Sequence, residues 1–285
     1  MKRKILAWSL FGFLLLIAVG VILYPLISSY VNEKNQAIIR SEYMEEIQAA
    51  DDSTIRKAWT EAEQYNAGRK PIRYSGEAVS QAEESYDALL NLKGNGVMGY
   101  VEVPKINVYL PIYHGTDGAT LERGVGHLLG SSLPVGGEGT HCVLTGHTGM
   151  SNQRLFTDLE QLSEGDVFYL HVLNRVLAYQ VDAINIVAPY ETSLLCEVEG
   201  RDLCTLITCT PYGVNSHRLL VRGTRIPYEA AEEIRVREEP VPETESVWMQ
   251  QYLKGLLLGL GGLLISAAVI LTFVLIRKRR RRHET

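Results

Sequence analysis

The sequence predicts a mainly β protein: a closed β-barrel with short helices, preceded by a helical stem and flanked by two transmembrane helices. Three observations predict it. Two uncharged apolar runs lie near the ends of the chain, Ile5–Ile27 with 23 residues and Gly255–Ile276 with 22. About 20 apolar residues suffice to cross a bilayer as a helix. From Asn32 to about Asn66 the chain is rich in Glu, Gln, Ala, Lys and Ile, a composition that favours helix. From Val97 to Ile226 short apolar stretches alternate with Pro, Gly, Asn and Asp, leaving room for one brief helix near Gln153–Leu162. Many short strands at such spacing suit a barrel.

Residues 1–31 form the N-terminal anchor. Lys2, Arg3 and Lys4 precede its apolar run, and the basic residues Arg277 to Arg282 follow the second run. Basic flanks stay in the cytoplasm, so both termini are expected inside the cell membrane and everything between them outside. The first run exceeds the roughly 7–15 apolar residues of a cleavable signal peptide. Cleavage near Ser28–Ser29 is the alternative.

Residues 32–93 read as an extracytoplasmic helical stem. Gly68, Pro71 and Gly76 interrupt it, and Glu77–Leu92 reads as a second helix with Ser75 as N-cap and Gly94 near its end. The barrel follows over 94–228. Its strands are expected at Val97–Val103, Ile106–Ile112, Thr140–Thr145, Val167–Leu173, Val176–Val187, Leu203–Thr208 and His217–Ile226, with Asn174–Arg175 as a hairpin turn. Residues 229–250, with Pro240 and Pro242, read as an acidic linker. A C-terminal transmembrane helix over 251–276 and a basic cytoplasmic tail over 277–285 complete the chain.

Charge narrows the function. The net charge is −5; with +3 on Met1–Lys4 and a net +5 on Arg277–Thr285, the stretch between them carries −13. An outer domain so acidic is a poor partner for nucleic acid or anionic lipid. Lipid is met through the two spans, and the basic tail reads as a topology signal or headgroup contact. The four cysteines are Cys142, Cys196, Cys204 and Cys209. They form no C-x-x-C pair and no Cys/His cluster of zinc-finger spacing, and there is no EF-hand-like run, so no metal and no cofactor is expected. Cys142, Cys196 and Cys204 read as small buried apolar residues.

Three segments carry chemistry: Leu144-Thr145-Gly146-His147-Thr148-Gly149, Thr205-Leu206-Ile207-Thr208-Cys209, and His217-Arg218-Leu219-Leu220-Val221-Arg222-Gly223. Together they resemble the sortases, cysteine transpeptidases of Gram-positive cell surfaces. That signature is a T-L-x-T-C strand ending in the nucleophile, a catalytic His upstream in a [ST]-G-H segment, and a catalytic Arg on the following strand. Arg218 lies nine residues after Cys209. The similarity runs from about Asn91 to Tyr228, half the chain.

Gly94–Tyr100, Val103–Ile106 and Pro111–Gly115, with the paired spans, resemble the class C, pilin-polymerising branch. One feature departs from it. Many class C members carry an Asp-Pro-aromatic lid, and no Asp-Pro occurs here; Lys70-Pro71-Ile72-Arg73-Tyr74 stands in that region, and no lid residues are assigned.

The residue chemistry points to the same site. A thiol becomes a nucleophile as thiolate, which a nearby imidazolium or guanidinium favours. Cys209 is the candidate nucleophile and His147 the general acid and base. Arg218, whose fork never loses its charge, is the candidate for stabilising the oxyanion or the substrate carbonyl. His141 and Arg222 share their strand parity and are the rivals. Thr208 and Thr145 are candidate pocket residues. Cys precedes His in papain-like enzymes, and the caspase Q-A-C-x-G is missing, so neither class fits.

The resemblance implies cleavage of the Thr–Gly bond in an L-P-x-T-G-like sorting signal through a thioacyl-enzyme. Transfer then goes to a lysine amine of another pilin, or in the housekeeping branch to a cell-wall precursor that anchors surface proteins. A non-catalytic membrane-anchored scaffold is the reading from another class.

Overall fold

The computed structural model describes residues 2–68 and 86–283. The segment Lys70–Tyr74 and most of the expected helix over Glu77–Leu92 lie outside them. The described remainder of that helix is a single 3₁₀ turn, Tyr86–Ala88.

Eight strands close into a barrel: β1 (Val97–Val103), β2 (Val108–His114), β3 (Val125–His127), β4 (Thr140–Thr145), β5 (Val167–Val172), β6 (Arg175–Val187), β7 (Asp202–Thr210) and β8 (His217–Ile226). Their order around the barrel is β1-β2-β3-β4-β7-β8-β6-β5. Two pairs are parallel, β2 with β3 and β4 with β7; the others are antiparallel. Side chains alternate along each strand. Cys142 and Leu144 of β4 and Cys204 and Leu206 of β7 point into one interior with Phe168, Leu170, Tyr179 and Val221. Val143, Ile207 and Leu220 face outward, where Leu195 of the β6–β7 connection covers them.

The strand bounds agree with the alternation of the sequence to within two residues, with two exceptions. Strand β3 was not expected. It is three residues long, and its Gly126 lies so close to the Gly115 carbonyl that no side chain fits there. A short helix over Gly118–Arg123, with Asp117 as N-cap, precedes β3. The β5–β6 turn is Leu173–Asn174, one residue earlier than expected, because Val172 pairs with Arg175.

The stem is two helices. Helix α1 (Lys2–Ala49) is continuous from the apolar run into the stem, and α2 (Asp52–Gly68) follows. Asp51 makes the break: its carboxylate accepts from the amides of Ser53 and Thr54 at 2.8 and 2.9 Å, capping a new helix. Ile55, Ala58, Trp59 and Ala62 of α2 join the barrel core with Tyr86 and Leu90. A buried side chain of Ile or Trp size contributes about 1.5–3 kcal/mol, so α2 is part of the catalytic fold rather than a spacer.

Residues 229–250 are not a bare linker. With the six-residue helix Gly118–Arg123 counted as α3, α4 spans Tyr228–Arg237 and buries Ala231 against Val167, Tyr169 and Ala178. Helix α5 runs over Val247–His283. By length and composition, α1 and α5 are each able to cross a membrane. The chain divides into two compact units, Met1–Ile22 with Pro242–Thr285, and Leu23–Val241. In the first, the Tyr252 hydroxyl donates to the Ile22 carbonyl at 3.0 Å.

Candidate active site

Strand register brings Cys209 opposite Arg218, as direct partners in the β7–β8 pair. Both are half-buried. The parallel β4–β7 pair ends with Thr145 beside Ile207. The ladder continues one residue further, since the Gly146 amide donates to the Ile207 carbonyl at 2.9 Å. The Thr208 hydroxyl then donates to the Gly146 carbonyl at 2.8 Å. The next residues are His147 and Cys209, so imidazole and thiol leave the same end of adjacent parallel strands. Cys209 shares its strand face with Thr205 and Ile207, the outer surface of the barrel.

The guanidinium of Arg218 donates from Nη1 to the Asn215 and His217 carbonyls, at 3.2 and 3.0 Å. These bonds hold it over the β7–β8 loop beside Cys209. Arg222 is held differently. It grips Asp182 with Nε–Oδ1 at 2.9 Å and Nη2–Oδ2 at 3.1 Å, and Arg201 binds the same carboxylate. Burial pushes the Asp182 carboxyl up, but hydrogen bonds and charge from the two arginines outweigh it and hold it below the usual range. Arg222 is a structural ion-pair residue on this geometry.

His141 is likewise occupied. It is buried, its Nδ1 lies 2.9 Å from the Cys196 carbonyl and its Nε2 2.7 Å from the Thr205 hydroxyl. A carbonyl only accepts, so Nδ1 carries the proton and Nε2 accepts from Thr205. Burial pushes the His141 imidazole below its ordinary pKa. The unfolded chain therefore takes up this proton first. Stability present at neutral pH is lost as pH falls through about 6.5 towards the lower folded value. The melting temperature of the detergent-solubilised chain is expected to fall between about pH 7.5 and 5.5, with a shallower slope in His141→Gln. A melting temperature indifferent to pH would contradict this.

The two threonines stand differently. Thr208 is buried at 3% exposure, with its hydroxyl committed to Gly146, so it braces the backbone before His147 instead of lining a groove. Thr145 ends β4 half-buried, on the outer face. Cys142 and Cys204 are buried as expected, but Cys196 is exposed on the β6–β7 connection.

The sequence reading missed the support beneath His147. Its carbonyl accepts from the Phe156 amide at 3.1 Å, and the fully buried Phe156 ring presses on Gly146. A Cβ at Gly146 would lie 2.6 Å from Phe156 Cδ2. Gly146→Ala is expected to cost about 1–3 kcal/mol of stability by overpacking. Displacing His147, it should also lower turnover about tenfold or more, because misplaced catalytic groups lose rate steeply. Thermal melts and peptide-acylation rates test both.

A sortase domain model matches residues 101–226. Sortase D of Bacillus subtilis (strain 168) is 30% identical over 178 residues, covering 61% of this chain and 87% of that protein. The chain belongs to the sortase family. It is a cysteine transpeptidase on a sortase barrel. Among solved structures similar to this sortase, sortase C1 of Streptococcus agalactiae is 42% identical with a TM-score of 0.63, covering 66% of this chain and 98% of that one. Sortase C of Clostridium perfringens, solved with the C-terminal cell wall sorting motif, is 44% identical with a TM-score of 0.59, covering 67% and 99%.

Proposed function

We propose that this sortase is a class C enzyme that joins pilin subunits, with Cys209, His147 and Arg218 as its machinery. The observation that carries the site is the placing of Cys209 directly opposite Arg218, with His147 leaving the neighbouring parallel strand beside it. The class rests on similarity to sortases named C and on two candidate spans.

The Cys209 thiolate attacks the threonine carbonyl carbon of an L-P-x-T-G-like signal. Negative charge moves to the carbonyl oxygen, where the Arg218 fork meets it. The C–N bond to glycine breaks and His147 gives its proton to the leaving amine. A lysine amine of another pilin then attacks the thioester. His147 takes its proton, the amide forms, and the thiolate is released. The catalytic domain works outside the cell, with both termini inside.

The test is intact mass of the enzyme mixed with an L-P-E-T-G peptide, followed by a choice of amines. An adduct of the peptide's acyl part, passed to a lysine-bearing pilin peptide in preference to an oligoglycine or cell-wall-type amine, is the expected result. Preference for the wall-type amine would favour the housekeeping reading.

A further inference from the structure

We propose that α1 holds the His147 end of the barrel against the lipid surface, so that the loop over residues 148–156 works at headgroup level. The contacts between α1 and the barrel all lie within the unit Leu23–Val241. The helix enters that unit with Leu23, Tyr24 and Ile27 exposed, apolar side chains suited to lipid cover. Tyr24 and Tyr30 are residues of the interfacial kind. Five residues past Ile27, the Asn32 side-chain amide donates to the Asn152 carbonyl at 2.9 Å. Next to it, Glu33 pairs with Arg154 at 3.5 Å. At 1.5 Å per residue these clasps stand only about 8 Å beyond the end of the apolar run.

The clasped loop belongs to the active site. Its Phe156 amide holds the His147 carbonyl, and Gly149 lies against Tyr212 and Gly213 of the β7–β8 loop, beside the exposed Val214. A second attachment prevents swivelling. The Tyr43 hydroxyl donates to the Met98 carbonyl at 3.1 Å and accepts from the Leu173 amide at 2.7 Å. Ile39 and Ile47 pack beside it on Val97 and Tyr113. Tyr43 lies about 16 Å further along the helix than Asn32, so the Leu173–Asn174 turn stands that much further from lipid. Asn32 and Glu33 are thus positioning residues. The attachment is mechanical: the outer domain carries −13 and has no charge attraction for anionic lipid. The lipid surface itself becomes one wall of the approach to Cys209.

The test uses the full chain in phosphatidylcholine nanodiscs doped with a headgroup spin-labelled phosphatidylcholine, which quenches nearby tryptophan. Ser151→Trp and Asn174→Trp, both at exposed positions, are compared with the parent protein. The quenched increment from Ser151→Trp is expected to be at least about twofold that from Asn174→Trp, given the 16 Å difference in height. Val214→Trp should behave like Ser151→Trp, which guards against a local effect of one substitution. Equal increments, or a larger one at Asn174, would overturn the proposal. The parent carries Trp8 and Trp248 in its two long helices and Trp59 in α2, and quenching of the first two reports the spans themselves. Its absence would overturn the proposal by removing the anchor, and leaves the peptide-acylation reading of the site untouched.

Discussion

Cys209→Ala is expected to form no adduct with an L-P-E-T-G peptide, and its transpeptidation should fall at least about 10⁴-fold, as when other enzymes lose their nucleophile. The protein offers an internal control for this result. Two of its thiols are accessible, Cys209 and Cys196, and two are sealed in the barrel, Cys142 and Cys204. An adduct that persisted in Cys209→Ala and vanished in Cys196→Ser would move the nucleophile to the β6–β7 connection. The fold should not change, because the Cys209 side chain lies on the outer face and fills none of the core. A melting temperature within a degree or two of the parent would separate loss of chemistry from loss of structure.

Arg218→Lys is the sharper experiment, since it keeps the charge and removes the fork. If the planar pair of donors meets the carbonyl oxygen as charge develops, kcat/KM should fall about 10²–10³-fold, the usual cost of a lost oxyanion donor. Arg222→Lys provides the contrast. It breaks the paired contact with Asp182 at 2.9 and 3.1 Å and should cost stability, about 1–3 kcal/mol, with acylation little affected. Equal acylation rates for Arg218→Lys and the parent would remove the fork from the mechanism. A collapse of activity in Arg222→Lys at normal stability would exchange the two assignments.

The barrel and the identity of the three chemical segments were legible because both are local signals. Period-two alternation marks a strand such as His217–Ile226 to the residue, and T-L-I-T-C narrows the candidate nucleophile to one position. What could not be read depends on partners far away in sequence. Leu173 adopts a left-handed φ of 53°, unusual for an apolar residue, where the Tyr43 hydroxyl holds its amide from 130 residues away. The role of Thr208 depends on the Gly146 carbonyl, and that of Gly146 on the Phe156 ring. None of these contacts has a sequence period. The rivals His141 and Arg222 share the right strand face; the commitments of their nitrogen atoms to Cys196, Thr205 and Asp182, and the register that sets Arg218 opposite Cys209, speak against them.

The parallel β4–β7 pair also governs when the enzyme becomes active. A nascent chain delivers His147 first, Cys209 some 60 residues later, and Arg218 with β8, the last strand of the barrel. Strand β7 has β4 on one side and β8 on the other, so Cys209 gains Arg218 with the β7–β8 hairpin and His147 with the parallel β4–β7 pair. The β7–β8 hairpin is a local pairing, whereas β4 and β7 lie some 60 residues apart, and non-local pairings form late in folding. Until the long-range pair forms, the chain would carry Cys209 without the residue proposed as its acid–base partner. On the proposed assignment the order of strands is a timing device: reactivity would arrive with the long-range pairing that completes the barrel.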